Sequence, residues 1–427
     1  MEYGCIAEHL THSFSKEIHA LLADYRYELQ ELSPCEVGAF LRQRDFRGLN
    51  VTIPYKQTVI PFLDDISPIA KDIGAVNTIV NREGYLYGDN TDFWGMKYLL
   101  EREKINLQGK TVLILGTGGT SRTARVVARR LGAARIGIVS RQMGEGVLTY
   151  EQALQTFADA QIIINTTPSG MFPNEEQMPY SIDLDRFPRL EGLMDAIYHP
   201  LRSELVLAAQ ARGIPAIGGL TMLVVQAAVA VERFLDVSLP AERVADVDRQ
   251  IRMSKENLVL IGMPGSGKTT IGMILAKKYN RELIDTDQEL IAMTGKTPAA
   301  LIEEQGEAAF RDLEAEAVRR CAAKSGVVIA TGGGAILRDD NVRRLRRNGR
   351  LIFLDRSPEQ LPVTDDRPLS CDRERLMRLY EARIDRYHAV ADARVEIEID
   401  HDTEAATADK VDAAFQQWFS SMKGENS

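Results

Sequence analysis

Two stretches of the chain share one pattern of apolar and polar positions. In each, a short run of consecutive β-favouring apolar residues meets a cluster of glycines, and small or helix-forming residues follow. Residues 111–132 read TVLILGTGGTSRTARVVARRLG and residues 258–279 read LVLIGMPGSGKTTIGMILAKKY. An unbroken apolar run that ends in glycine and passes into a helical pattern predicts a buried parallel strand, a phosphate-holding turn and a helix, the opening of an α/β unit. Further runs at 136–139, 162–164, 282–284 and 327–330 predict more strands of the same kind. The N-terminal stretch MEYGCIAEHL reads as a first strand rather than a signal peptide, because no basic region precedes its short apolar run. Residues 220–231 form the most apolar segment, too short to span a bilayer and interrupted by Gln226.

These elements group into α/β domains with parallel sheets. Dividing 427 residues by about 150 per domain gives roughly three folding units. Residues 1–92, with a return at 215–245, are expected to form a substrate-binding domain without a phosphate loop. Residues 93–214 form a Rossmann dinucleotide domain, and residues 254–427 a P-loop α/β/α domain. The junction falls near 252–255, inside a charge-dense stretch, 235–257, where the apolar period is weak and Pro240 interrupts. Composition adds exclusions. Hydrophobic residues make up 44% and charged residues 26%, as in an ordinary globular protein. A formal charge of −9 argues against nucleic acid as a partner, so anions must be held by local cations. Cys5, Cys35, Cys321 and Cys371 show no CxxC spacing, which points to a reduced, cytoplasmic protein, and the shortness of the 220–231 segment argues against membrane attachment.

Candidate chemistry lies in the loops. Gly116, Gly118 and Gly119 open the first phosphate turn, with Ser121 where a third glycine is often found. The next strand ends in Ser140-Arg141, where an NAD site would carry an acid; a basic residue there suits a 2′-phosphate and favours NADP(H). Asn165, Thr166 and Thr167 arrive at the carboxyl end of another strand, the edge that faces ligand in an open parallel sheet. Upstream, Lys56 and Asp92 are a pair that could move a proton at a carbonyl or hydroxyl if the fold brings them together. Each also has a plainer role open to it: Lys56 as a surface lysine, Asp92 as a helix cap, Asn77 as a turn residue. In the second half, Gly262, Gly265 and Gly267 with Lys268, Thr269 and Thr270 satisfy GxxxxGK[ST]. Backbone amides would cradle the phosphates of ATP, Lys268 would reach them, and the Thr269 hydroxyl would ligate Mg²⁺. Asp285, Asp287, the run Gly332-Gly333-Gly334, Arg311, Arg383 and Tyr387 supply polar groups for a substrate, and two arginines suit a small carboxylate. For Arg311 alone, a helix pair with Glu314 is the commoner role. These residues indicate a small-molecule kinase.

Ordered motifs then narrow the reading. HSFS at 12–15, NVTIPYK at 50–56, GAVNT at 74–78, GDNTDFWG at 88–95, NTTPSGM at 165–171 and GGLTMLVVQAA at 218–228 resemble the shikimate dehydrogenases across residues 1 to about 235. The resemblance implies that Ser13 and Ser15 hold a substrate carboxylate and that Thr52, Asn77 and Gln226 hold its hydroxyls. It also implies that Lys56 and Asp92 are the catalytic pair. Lys16 departs from the family's usual proline, Ser140-Arg141-Gln142 from its Asn-Arg-Thr, and His199 and Ser203 from the common Asn and Thr near Tyr198. Residues 257 to about 400 resemble shikimate kinases through DTD at 285–287, FRDLE at 310–314, TGGG at 331–334, DRPL at 366–369 and the stretch around Arg383. That resemblance implies that Asp287 binds substrate hydroxyls and acts as base, and that Asp285 supports Mg²⁺. Arg311 and Arg383 would hold the carboxylate, with Gly333 beside it, and Arg367 would close over ATP from a lid that is short here. The joint expectation is NADPH-dependent reduction of 3-dehydroshikimate followed by ATP-dependent phosphorylation of shikimate, in a monomer or homodimer. Two rivals stand beside it: quinate oxidation with NAD, and a catalytically silent regulator.

Overall fold

The computed structural model describes residues 1–10, 14–142, 144–179, 182–362, 372–398 and 402–420. The chain divides into two compact units, Met1–Ile251 and Arg252–Ser427.

The first unit holds two sheets. One contains β1 (Tyr3–Ala7), β2 (Tyr27–Glu31), β3 (Gly48–Val51), β4 (Asp65–Ile66), β5 (Thr78–Arg82) and β6 (Tyr85–Asp89), in the order β2-β1-β3-β5-β6-β4. Strand β1 pairs parallel with β2 and β3, whereas β5 runs antiparallel to β3 and β6. The reversal between β5 and β6 follows from a two-residue turn in which Glu83 and Gly84 both take positive φ, the geometry whose twist matches a hairpin. The other sheet contains β7 (Thr111–Leu115), β8 (Arg135–Val139), β9 (Ile162–Asn165), β10 (Gly192–Asp195) and β11 (Ala216–Ile217). It is wholly parallel, in the order β11-β10-β9-β7-β8. Its strands are apolar on both faces because cores lie on both sides. Val112 and Ile114 face one cluster, Leu113 and Leu115 the other.

The apolar segment around Gln226 forms a helix, Leu220–Leu235, that packs along the helix Asp92–Arg102. Gly95 permits the close approach, since a β-carbon there would stand 2.4 Å from the carbonyl oxygen of Met222. At its far end the helix returns to the first sheet. Phe234 lies over Gly48, where a β-carbon would meet its ring at 2.3 Å, and its ring centroid is 5.7 Å from that of Tyr3. The stretch read as a connector of weak period is in fact helical from Ala241 to Lys255. Val244, Val247 and Ile251 recur at three- and four-residue spacing and pack with Ile18, Leu220 and Val224. The density of charge between these three residues hid that period.

The second unit holds β12 (Asn257–Ile261), β13 (Leu283–Asp285), β14 (Val328–Ala330), β15 (Gly349–Arg356) and β16 (Ala393–Ile397), all parallel, in the order β13-β14-β12-β15-β16. Along β12, Val259 and Ile261 enter one core while Leu258 and Leu260 enter the other. Helices therefore cover both faces, and polar residues are left to the strand ends. No helix among the described residues is long and apolar enough to cross a membrane.

Candidate functional sites

In the first unit, register decides what meets at the sheet edge. Leu115 pairs with Val139 on one side and Asn165 on the other, so Gly116, Ser140 and Thr166 begin loops at one level. Strand β7 sits where the strand order reverses, the position at which open α/β sheets bind ligand. Gly116 takes φ +107°, and a β-carbon there would lie 2.7 Å from Thr166 Oγ1, so a side chain is excluded by conformation and by space. Ser121 Oγ donates to the Gly116 carbonyl at 2.6 Å and ties the turn to the helix Gly119–Arg130 that it opens. Thr166 Oγ1 donates to the Leu115 carbonyl at 2.6 Å. Arg141 is exposed beyond the end of β8, near Tyr150, whose hydroxyl burial pushes up with Arg141 opposing. One group beneath this edge went unremarked in the sequence. Asp195 is fully buried, accepts from Ser203 Oγ at 2.5 Å and Asn165 Nδ2 at 2.9 Å, and is pushed up by burial to about 6.

The structure brings Lys56 and Asp92 together. Lys56 leaves the loop after β3, Asp92 is the first residue of its helix, and Nζ lies 2.5 Å from Oδ2 with the side chains only 14% and 9% exposed. Neither the surface-lysine nor the simple cap role describes this pair. The lysine stem reaches the opening of the dinucleotide helix, where a β-carbon on Gly119 would be 3.5 Å from Lys56 Cδ. Phosphate turn and proton-bearing pair thus occupy one crevice.

Beside the pair lies a buried polar network. Asn77 Oδ1 accepts from the Thr91 amide at 2.7 Å, and its Nδ2 reaches Thr91 Oγ1 at 3.1 Å and Gln226 Oε1 at 3.5 Å. Asn50 Nδ2 donates to Thr78 Oγ1 at 3.2 Å, while Tyr27 donates to Asn50 Oδ1 at 2.7 Å. Thr78 and Thr91, adjacent through their hydroxyls, are the residues that sequence reasoning missed. Both stand within the quoted motifs, but no spacing rule marks them. Thr52 is half-buried in the loop that carries Lys56, and Ser15 begins the helix Ser15–Leu22. Ser13 lies outside the described residues.

The second unit repeats the logic at the end of β12. Gly262, Gly265 and Gly267 all take positive φ. Lys268 Nζ donates to the carbonyls of Gly262 and Met263, each at 2.9 Å, and so lies inside the loop it is expected to serve. Thr269 Oγ1 donates to Asp285 Oδ2 at 2.7 Å, while Asp285 Oδ1 caps the next helix through the amides of Asp287 and Gln288. Thr270 follows in the first turn of the helix Lys268–Tyr279. A hydroxyl and one carboxylate form an oxygen donor set that suits Mg²⁺, which takes few protein ligands and completes its shell with water and phosphate. Among the described residues, no group of three His, Cys, Asp or Glu side chains could hold another metal.

On the β13 and β14 side, a β-carbon on Gly332 would meet Asp287 Oδ1 at 2.6 Å, and one on Gly334 would meet Arg311 Nη1 at 2.0 Å. Arg383 Nη1 donates to the Gly333 carbonyl at 3.1 Å, and Tyr387 donates to the carbonyls of both Gly333 and Gly262. Arg311 does pair with Glu314 at 2.8 Å, and with Glu307 at 2.9 Å, yet it also lies over the glycine run. Burial pushes Glu314 upward, with Arg311 opposing, and pushes Arg383 downward. Two guanidiniums close enough to influence each other thus lie against the same run of glycine backbone. Arg367 lies outside the described residues.

Taken together, a buried lysine–aspartate pair lies beside the glycine turn of a doubly wound parallel sheet in the first unit, and a P-loop ends the central strand of the second. Residues 5–79 match the model of the shikimate dehydrogenase substrate-binding domain, and residues 264–415 match that of shikimate kinase. The NADP(+) shikimate dehydrogenase of Geobacillus kaustophilus is 37% identical over 254 residues, covering 54% of this chain and 91% of that protein. That of Syntrophomonas wolfei is 34% identical over 270 residues, covering 57% and 92%. Among solved structures, a chorismate mutase/shikimate 5-dehydrogenase fusion from Clostridium acetobutylicum shares 31% identity at a TM-score of 0.55, covering 58% of this chain and 96% of that one. The shikimate 5-dehydrogenase of Thermus thermophilus in complex with NADP(H) and shikimate shares 26% at 0.53, covering 58% and 99%. The chain belongs to the shikimate dehydrogenase family through its first unit, and its second carries a shikimate kinase domain. It is a bifunctional enzyme of the shikimate pathway.

Proposed function

We propose that the first unit reduces 3-dehydroshikimate to shikimate with NADPH, and that the second transfers the γ-phosphoryl group of ATP to shikimate. The observation that carries the first reaction is the Lys56–Asp92 contact at 2.5 Å, with the lysine stem against the opening of the dinucleotide helix. Lys56 gives a proton to the carbonyl oxygen as hydride from the nicotinamide reaches its carbon. Asp92, 2.5 Å away, keeps the lysine aimed. Ser13 and Ser15 hold the substrate carboxylate, and Thr52, Asn77 and Gln226 its hydroxyls. The bonds Asn77 makes to Thr91 and Gln226 fix the orientation of its amide. Gly116, Gly118, Gly119 and Thr166 receive the dinucleotide, and Arg141 suits its 2′-phosphate.

In the second unit, Arg311 and Arg383 grip the carboxylate while Asp287 orients and deprotonates the attacking hydroxyl. Gly262, Gly265, Gly267, Lys268 and Thr270 receive the nucleotide phosphates. Thr269 and Asp285 would hold Mg²⁺, whose contribution is neutralising phosphate charge. Phosphoryl transfer needs little from the protein beyond such positioning and charge compensation. We place the protein in the cytoplasm, substrate domain at 1–92 and 215–245, Rossmann domain at 93–214, kinase at 254–427. The test is to supply purified chain with 3-dehydroshikimate, NADPH, ATP and Mg²⁺. Shikimate 3-phosphate should accumulate, with NADPH preferred to NADH and shikimate to quinate. Formation of neither shikimate nor its phosphate would refute the proposal.

A further inference from the structure

The sheet order of the second unit separates the two halves of its ligand space. Every group assigned to shikimate, namely Asp287, the glycine run, Arg311 and Arg383, gathers at the β13 and β14 side of the P-loop. The nucleoside end of ATP is therefore left to the β15 and β16 side. Strand β15 is built to flank the loop there. Its Phe353 pairs with Ile261, the last residue of β12, so Leu354, Asp355 and Arg356 run on beside the phosphate turn. The first loop glycine touches this overrun, since a β-carbon on Gly262 would sit 2.8 Å from the Leu354 carbonyl oxygen.

Arg356 ends that overrun. Its Nη1 donates to the Gly265 carbonyl at 3.2 Å, at the crown of the loop. Its Nε is buried and finds no acceptor among the described residues. A guanidinium spending one arm on the phosphate loop while a buried N–H stays unpaired is an unfinished site, because buried donors are normally satisfied. No motif in the sequence marks this arginine. Resting on the kinase reading above, we propose that Arg356 is a nucleotide-binding residue. Its unpaired N–H takes an oxygen from the α-phosphate and ribose end of ATP, and its other arm holds the loop in the receiving shape. A charge-assisted bond of this kind is among the stronger ones available to a ligand.

The test compares wild-type chain with Arg356→Ala and Arg356→Lys, measuring calorimetric Kd for ADP, KM for ATP and for shikimate, and thermal unfolding without nucleotide. The expected result for Arg356→Ala is a roughly tenfold rise in both nucleotide constants, with KM for shikimate within twofold of wild type. Arg356→Lys keeps the charge but loses the forked geometry and should recover only part of the loss. If both variants bind ADP as tightly as wild type, whether or not they melt earlier, the arginine merely braces the loop and the proposal is wrong. A parallel rise in KM for shikimate would also overturn it, since the defect would then not be confined to the nucleoside side. Should wild-type chain itself neither bind ADP nor phosphorylate shikimate, the kinase reading fails first and this proposal with it.

Discussion

Lys56 and Asp92 are each unremarkable alone, and what sets them apart is shared burial at 2.5 Å. Removing Lys56 leaves a mostly buried carboxylate without its partner, a change that costs about 3–5 kcal/mol when the pair is fully desolvated and less here, where both tips keep some water. Lys56→Ala should therefore lower kcat for 3-dehydroshikimate reduction roughly 10²–10⁴-fold, the range of general acid–base catalysis, in a chain that is less stable but folded. Parallel rate and unfolding measurements would check both effects. His19 offers a second test. It is fully buried, bonds Tyr25 at 2.6 Å through Nδ1 and stacks on Tyr27, and burial lowers it to about 3, with Asn50 opposing. Because the folded state holds the ring neutral while the unfolded chain protonates it near 6.5, its contribution to stability is complete above pH 6.5. That contribution falls away as pH drops towards 3. Denaturant titrations across that window should show the slope, and His19→Phe should flatten it. The sequence showed Lys56 and Asp92 as candidates because their motifs are ordered. It could not show Asp195 or the Thr78–Thr91 contact, because each depends on how strands and loops are brought together and no spacing rule marks the residues.

At the scale of elements, β7 and β12 were legible because an apolar run ending in glycine leaves little else possible. The helix Ala241–Lys255 was not, since Val244, Val247 and Ile251 set among many charges match a helix only when something is known to cover them. Likewise the close crossing of the helices Asp92–Arg102 and Leu220–Leu235 depends on a glycine that no pattern singles out. Gly95→Ala sets two effects against each other. Alanine favours a helix interior by about 1 kcal/mol. A β-carbon 2.4 Å from backbone oxygen must push the helices apart, however, at about 1–3 kcal/mol, and backbone cannot swing aside as a side chain can. The steric term should win. Asp92 begins one of these helices and Gln226 lies on the other, so we expect lower stability together with a raised KM for shikimate, read from unfolding curves and steady-state rates.

The whole molecule carries two chemistries on two separately packed units. Each has its own cores and its own phosphate loop at the carboxyl edge of a parallel sheet. Lys56→Ala should accordingly cut NADPH turnover by that same factor and spare phosphorylation, while Lys268→Ala should do the reverse. A folded variant losing both activities would contradict the division. The opposite grouping, one composite site, was already disfavoured by the sequence, where two complete phosphate signals appear in turn. Four anionic ligands must be captured by a chain of net charge −9, so the burden falls on a few cations set close to backbone that carries no side chain.

Lys268, held between the carbonyls of Gly262 and Met263, gives that burden an unexpected form. On the role proposed for Lys268, an arriving phosphate would not meet a waiting charge; it would have to displace the protein's own backbone from it. Nucleotide affinity is then a difference between two sets of bonds to one ammonium group, and a loop that gripped its lysine less firmly would bind ATP more tightly, at the expense of a turn less well shaped to receive it.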